Sequence, residues 1–288
     1  MSFTTLITPD QLFTLLDNPQ ANVLVCDCSF DLADPDAGLR SFRGAHVPGA
    51  VHVNLDHDLS GTKTGQNGRH PLPPRDAFAA MLARAGADDE TQIVSYDSAG
   101  GMYAARLWWL ARWVGHRAVA VLDGGLPAWR ASGYSVDTTT ASARVAGHFT
   151  VRDPLVGTVD FDGVRANLDT RARVVLDARA ADRFRGENET LDAFGGHIPH
   201  ARNRFFRDNL DAEGRFKPAA QLLSDFVRIT GTEQGAGIIA QCGSGVTACH
   251  NLLALEVAGL SGAALYPGSW SEWSSRAGAP VAQGEQAA

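Results

Sequence analysis

The sequence predicts an α/β protein made of two copies of one unit, each a parallel sheet with helices on both faces. Three observations carry this. Short apolar runs such as Val23-Leu24-Val25-Cys26 and Val174-Val175-Leu176 alternate with helical periodicities, the pattern of parallel strands buried between helices. The same order of segments occurs twice, offset by about 145–150 residues. A chain of 288 residues, 44% hydrophobic, has enough apolar material for two cores.

Taken in order, Thr8-Pro9-Asp10-Gln11 has a capping-box pattern with Pro at the first helical position, so it opens a helix. Val23–Asp27 follows as an apolar strand ending in Asp. AHVPGA at 45–50 is answered by GHIPHA at 196–201, and IVSYDSAGGMYAARLWWL at 93–110 by IIAQCGSGVTACHNLLAL at 238–255. VLDGGLPAW at 121–129 is answered by LYPGSWSEW at 265–273. Helices are expected over 75–84, around 159–168 and over 221–229, with a strand at 174–177. The polar, small-residue-rich stretch 137–154 reads as the connection. The expected division is a first copy over 1–142, a linker over 143–156 and a second copy over 157–288, with a fraying tail after Ala279.

Composition narrows the function. A net charge of −7 without any basic stripe argues against a nucleic-acid partner. No stretch has the length and apolarity of a membrane span, and the N-terminus lacks the basic-then-apolar order of an export signal. Cys26, Cys28, Cys242 and Cys249 have no paired CxxC spacing, which fits free thiols in a reducing compartment and makes cytoplasmic the expected location. Cys26 and Cys28 share a strand face without histidines nearby, and they read as packing residues, not a metal site. Trp108, Trp109 and Trp113 read as helix packing.

Chemistry concentrates at 237–259. Gly237–Gln241 reads as a strand, Cys242–Gly245 as a turn and Val246–Val257 as a helix stopped by Gly259. The cysteine thus stands where the unpaired N–H groups of a helix start point, a place that favours negative charge. Thiols in such surroundings can fall from about 8.5 into roughly the 3.5–7.5 range and become nucleophiles at neutral pH. Gly243 and Gly245 let the chain curl around the sulfur. In the first copy Asp97 occupies the equivalent position, so that copy lacks the nucleophile; the aspartate reads as a helix N-cap. In the long loop 53–73, His70 is a candidate acid–base group. Arg179, Arg183 and Arg185 follow the strand at 174–177, where parallel sheets bind ligands.

The run CGSGVTA resembles the active-site loop of the rhodanese superfamily of sulfurtransferases, most closely that of 3-mercaptopyruvate sulfurtransferases. The resemblance covers nearly the whole chain and implies a tandem rhodanese fold. It implies Cys242 as the sulfur-carrying nucleophile and, through GRHPLP and VNLD, a proton relay of Ser244, His70 and Asp56; Asp58 lies close enough that residue chemistry alone does not choose between the two aspartates. Arg183, in RFRG, is implied as the donor-binding arginine. Gly243, Gly245, Val246 and Thr247 complete the expected substrate-binding set through the N–H groups of the loop.

Two departures stand out. The second arginine usual before GHIP is missing from ENETLDAFGGHIP, with Asp192 near its place, and His200 replaces a usual glycine. Arg202 or Arg204 is the expected substitute for the missing guanidinium.

The implied reaction moves sulfur from 3-mercaptopyruvate, through a Cys242 persulfide, to a small thiol, cyanide or a thioredoxin-like protein, without metal or organic cofactor. Thiosulfate as donor and a persulfide carrier that does not turn over are the alternatives. The loop residues after Cys242 include no arginine to close a phosphate ring, which argues against a cysteine phosphatase.

Overall fold

The computed structural model describes residues 2–139 and 145–285. It divides into two compact units, one of residues 1–61, 73–155 and 212–215, the other of residues 62–72, 156–211 and 216–288. The segment 62–72, which carries His70, therefore belongs to the second unit. Residue 142, the expected end of the first copy, and residues 143–144 of the expected linker lie outside the described residues.

The first unit contains strands β1 (Leu6–Ile7), β2 (Val23–Asp27), β3 (Val51–His52), β4 (Gln92–Tyr96) and β5 (Val119–Leu122). Its helices are α1 (Pro9–Leu16), α2 (Ala37–Gly44), α3 (Arg75–Arg84), α4 (Ala104–Trp113) and α5 (Gly125–Ala131). The second repeats the series as β6 (Gly157–Thr158), β7 (Val174–Asp177), β8 (Arg202–Asn203), β9 (Ile238–Gln241) and β10 (Ala264–Leu265). Its helices are α6 (Phe161–Thr170), α7 (Ala181–Arg185), α8 (Ala219–Thr230), α9 (Thr247–Val257) and α10 (Ser269–Trp273). Strand order is β1-β5-β4-β2-β3 in one sheet and β6-β10-β9-β7-β8 in the other, all pairs parallel. Identical order in both sheets is what the repeated sequence requires.

The central strands are apolar because both of their faces are covered: every residue of β2, β4 and β9 is buried. The capping box at Thr8 forms, with Gln11 N–H donating to Thr8 Oγ1 and the Gln11 side chain accepting from Thr8 N–H. In the first core Trp129, Tyr96 and Phe42 pack with Val25, Val94 and Leu122. In the second, Trp270, Trp273 and Tyr266 pack with Val175, Ile198 and Ile239. Each fully buried aliphatic or aromatic side chain of this kind stabilises the fold by roughly 1.5–3 kcal/mol.

The tail departs from expectation. His197 and Ala282 exchange two backbone hydrogen bonds, at 2.8 and 2.9 Å, and Gly284 N–H donates to Arg185 O. Residues 282–284 are therefore tied to the second unit instead of fraying; residues 286–288 lie outside the described part.

Candidate active site

The loop from Cys242 to Val246 joins the end of β9 to the start of α9, one residue later than the sequence pattern places the helix. Its curl depends on Gly245, whose φ of +78° is left-handed and whose absent Cβ would stand 2.4 Å from Pro267 O. Folded this way, the loop turns its N–H groups onto the sulfur. Gly245 N–H points to Cys242 Sγ with a separation of 3.1 Å, and Ser244 N–H with 3.4 Å. Cys242 is 2% exposed.

The segment 266–271 supports the loop from below. Cys242 N–H donates to Ser269 Oγ at 3.1 Å, and that hydroxyl donates to Tyr266 O at 2.9 Å. Trp270 N–H and Ser271 N–H donate to Cys242 O and Gly243 O. Ser269 itself has a left-handed φ of +53°, a conformation a non-glycine residue keeps only when its surroundings enforce it.

His70 reaches the site because 68–70 lies close against 268–271. Gly68, at φ +82°, has no room for a Cβ, which would meet Gly268 O at 2.7 Å, and Arg69 N–H donates to Ser271 Oγ. The His70 Nδ1 then stands 2.7 Å from Ser244 Oγ, with both residues buried. Among the sequence-derived candidates, Cys242, Gly243, Ser244, Gly245, Val246, Thr247, His70 and Arg183 all fall in the second unit. Asp56 falls in the first, after β3, where its N–H donates to Asn54 Oδ1; Asn54 N–H in turn donates to Asp58.

Above Gly243 lies a layer of alternating charge. A Cβ on Gly243 would stand 2.9 Å from Arg69 Nη2 and 3.6 Å from Arg183 Nη1, so two guanidinium groups cover the residue after the cysteine. Arg183 grips Glu189 at 2.8 and 2.9 Å and lies 3.5 Å from Asp192, and Arg69 is ion-paired with Asp192. Burial pushes the Glu189 carboxyl up, but the N–H groups of Leu191 and Asp192 and the Arg183 guanidinium outweigh it and leave the group below its ordinary range. For Asp192 burial wins, and its carboxyl lies above the ordinary range despite Arg69. Beneath them Arg179 pairs with Asp177 at 2.7 Å and stacks over the Trp270 ring. It is an internal brace.

Neither expected substitute for the missing arginine faces this layer. Arg204 is bonded to Asn209, Asp208 O and Asp225, with its guanidinium over Phe226, and Arg202 lines a cavity of about 350 Å³ with Arg171, Arg173 and His200. Arg69 is the guanidinium that sequence reasoning missed. The signal was its place beside His70, in a segment whose partners lie between 123 and 202 positions away.

The first unit shows what the same loop does without a sulfur. The Asp97 carboxylate, fully buried, accepts N–H bonds from Ala99, Gly101, Tyr103 and Ala104 at 2.7–2.9 Å. Asp97 is thus not the N-cap residue of α4, a position held by Tyr103; it fills the loop's anion cradle with its own side chain. Burial pushes this carboxyl up against the pull of the four donors.

Cys26, Cys28 and Cys249 are buried free thiols. Cys249 Sγ donates to Gly245 O at 3.3 Å, which places it behind the loop. Trp108 and Trp109 are fully buried helix-packing residues.

Comparison with known proteins agrees with this fold. The model of the rhodanese-like domain family matches twice, over residues 8–132 and 160–276. A probable 3-mercaptopyruvate sulfurtransferase of Pseudomonas aeruginosa is 43% identical over 287 residues, 99% of this chain and 100% of that protein. A putative thiosulfate sulfurtransferase of Mycobacterium tuberculosis is 37% identical, over 91% of each chain. Among solved structures, the 3-mercaptopyruvate sulfurtransferase from Leishmania major superposes with a TM-score of 0.82 at 27% identity, covering 94% of this chain and 74% of that one. The enzyme from Escherichia coli superposes with a TM-score of 0.79 at 28% identity, covering 94% and 100%.

Proposed function

The chain belongs to the rhodanese-like domain family, and from that premise we propose that it is a sulfurtransferase taking sulfur from 3-mercaptopyruvate through a persulfide on Cys242. The observation that carries this reading is the loop 242–246, which aims two backbone N–H groups at one buried thiol while a histidine stands within hydrogen-bond reach of the neighbouring hydroxyl.

In the first step the Cys242 thiolate attacks the donor sulfur. The Sγ–S bond forms, the C–S bond breaks, and its electron pair passes to carbon as the enolate of pyruvate. The donor's thiol proton leaves through Ser244 Oγ and His70 and is returned to that carbon, so pyruvate departs neutral at the former enolate position. Asp56 is the third relay residue that the family resemblance implies, with the role of a triad acid. Fixed N–H dipoles of Gly243–Val246 in the loop and of Thr247 at the start of α9 hold the negative charge on the persulfide without needing to reorganise. In the second step an acceptor thiolate attacks the outer sulfur, takes it away and restores Cys242, which makes the kinetics ping-pong. Arg183 holds the donor carboxylate, a role for which its planar fork is suited.

A small thiol, cyanide or a reduced thioredoxin-like protein suits the second step. Four free thiols support a reducing, cytoplasmic setting. Among the described residues no helix is long and apolar enough to cross a membrane. Thiosulfate is the competing donor, and the Mycobacterium tuberculosis relative bears its name. The uncharged Gly243-Ser244 pair beside the sulfur favours the monoanionic donor over a dianion.

The test is kcat/KM with 3-mercaptopyruvate and thiosulfate in parallel, on the unaltered protein and on Ser244→Ala. A preference for 3-mercaptopyruvate with a fall of about 10²–10⁴ in Ser244→Ala is expected, the usual reach of positioned proton transfer. A preference for thiosulfate, or full activity in Ser244→Ala, contradicts the reading.

A further inference from the structure

We infer that Arg69 is the second arginine of the donor site, and that Asp192 is a built-in carboxylate that occupies this guanidinium until the donor's own carboxylate displaces it. The inference rests on the mercaptopyruvate reading and goes beyond it by assigning a donor-binding role to Arg69, to which the resemblance through GRHPLP gives none.

Position comes first. Arg69 Nη2 lies 2.9 Å from the point where a Gly243 side chain would begin, nearer than either Arg183 nitrogen, so it overhangs the residue next to the nucleophile. Only two carbons separate sulfur from the carboxyl carbon in 3-mercaptopyruvate, so a donor whose sulfur meets Cys242 carries its carboxylate into this layer. The absence of a side chain at 243 leaves the space in which it fits.

Charge comes second. Arg69, Arg179 and Arg183 are matched by Asp177, Glu189 and Asp192. An incoming anion must therefore replace one of these carboxylates. Asp177 is locked to Arg179 in the interior. Glu189 accepts the N–H groups of Leu191 and Asp192 as well as Arg183, and these contacts favour its charged form. Asp192 is the remaining one, and burial already works against its charge. It also sits on an irregular stretch, 187–194, in which Leu191 and Phe194 are about half exposed, so no buried apolar side chain of its neighbours pins this part of the chain. Carboxylate for carboxylate, the exchange keeps the layer neutral.

The layer also explains the sequence departure. Asp192 lies near the place where the resemblance leads one to expect a second arginine, and a guanidinium is instead brought to the layer by Arg69 from the segment 62–72. The pair has changed sides.

The unaltered protein is assayed first with 3-mercaptopyruvate; absence of turnover overturns the donor reading itself and is thereby separated from failure of this inference. With turnover in hand, Arg69→Ala is expected to raise KM for 3-mercaptopyruvate about 10- to 100-fold, the reach of a lost charge-assisted hydrogen bond, with a much smaller change in kcat. Arg69→Lys should recover part of the loss. Asp192→Asn is expected to move the other way. Pyruvate, titrated calorimetrically into a Cys242→Ser protein, should bind several-fold more tightly with Asp192→Asn added and more weakly with Arg69→Ala added. A merely structural ion pair predicts that both variants weaken binding together. Unchanged KM in Arg69→Ala, or weaker pyruvate binding in Asp192→Asn, overturns the inference. Should Arg69→Ala fold poorly, Gly243→Ala serves instead, since its Cβ crowds only the flexible ends of Arg69 and Arg183; it is expected to raise KM, and an unchanged KM counts against the inference.

Discussion

Gly245→Ala is the substitution whose consequences the geometry defines most fully. Gly245 stands at φ +78°, and a left-handed conformation costs an alanine about 1–2 kcal/mol before any contact is considered. The new Cβ would also stand 2.4 Å from Pro267 O, a backbone atom that cannot rotate aside. Either 266–269 retreats, which loosens the Ser269 hydroxyl under Cys242 N–H, or the loop unwinds and withdraws the Gly245 N–H now 3.1 Å from Cys242 Sγ. At about 2–4 °C per kcal/mol for a protein of this size, the melting temperature should fall by several degrees. Loss of one fixed N–H donor at a reacting atom should lower kcat/KM by about 10²–10³. Gly243→Ala is the control for stability, because it has no positive φ and meets only side-chain ends. The assays are thermal unfolding and sulfur transfer, together with the rate at which iodoacetamide alkylates Cys242. If Gly245→Ala melted, alkylated and turned over like the unaltered protein, the cradle described here would not hold the sulfur.

Two further outcomes follow from buried polar groups. Asp97→Ala strands three buried N–H groups and the half-buried one of Ala99 in the first unit, and at about 1–3 kcal/mol per unsatisfied buried donor, softened by relaxation, a loss of roughly 3 kcal/mol or more is expected; a change under about 1 kcal/mol by denaturant unfolding would contradict the role given to the carboxylate. His197 is buried, with Nδ1 2.9 Å from Phe184 O and its ring stacked on Phe184 at 3.7 Å, and burial holds its imidazole below the ordinary histidine range. Its folded state therefore binds a proton less readily than the unfolded chain, so stability is full above about pH 6.5 and declines as pH falls below it. The slope of melting temperature against pH between about 5 and 7 should be shallower in His197→Gln, and an identical slope would refute the assignment.

How much of this the sequence showed depended on how local the cause was. The strands Val23–Asp27 and Val174–Asp177 and the helix Arg75–Arg84 have the bounds the pattern predicts, because buried parallel strands are continuous apolar runs and that helix follows directly on a proline. The edge strands β1 and β6, two residues each, are too short to carry a period. Cys242 and its glycines were legible because strand, turn and helix are contiguous. Arg69 was not, since its placement over Gly243 depends on 68–70 meeting 268–271, a pairing that no local pattern encodes. Asp97 was half legible: its position in the repeat was clear, but three N–H bonds from a loop spanning 97–103, against 242–246 in the other copy, and a fourth from Ala104 at the start of α4 replaced a simple cap. Polar composition at 280–285 suggested fraying, whereas the backbone bonds from His197 and Arg185 decided otherwise.

The proposed sulfur transfer stands or falls on whether sulfur passes through Cys242. Its most direct measurement is intact-protein and peptide mass spectrometry after a single exposure to 3-mercaptopyruvate without an acceptor. The expected result is the gain of one sulfur atom on the peptide carrying Cys242, release of an equal amount of pyruvate, loss of the added mass on addition of a small thiol, and none of this in Cys242→Ser. Pyruvate release with no sulfur on Cys242, or sulfur retained on Cys249 alone, would contradict it.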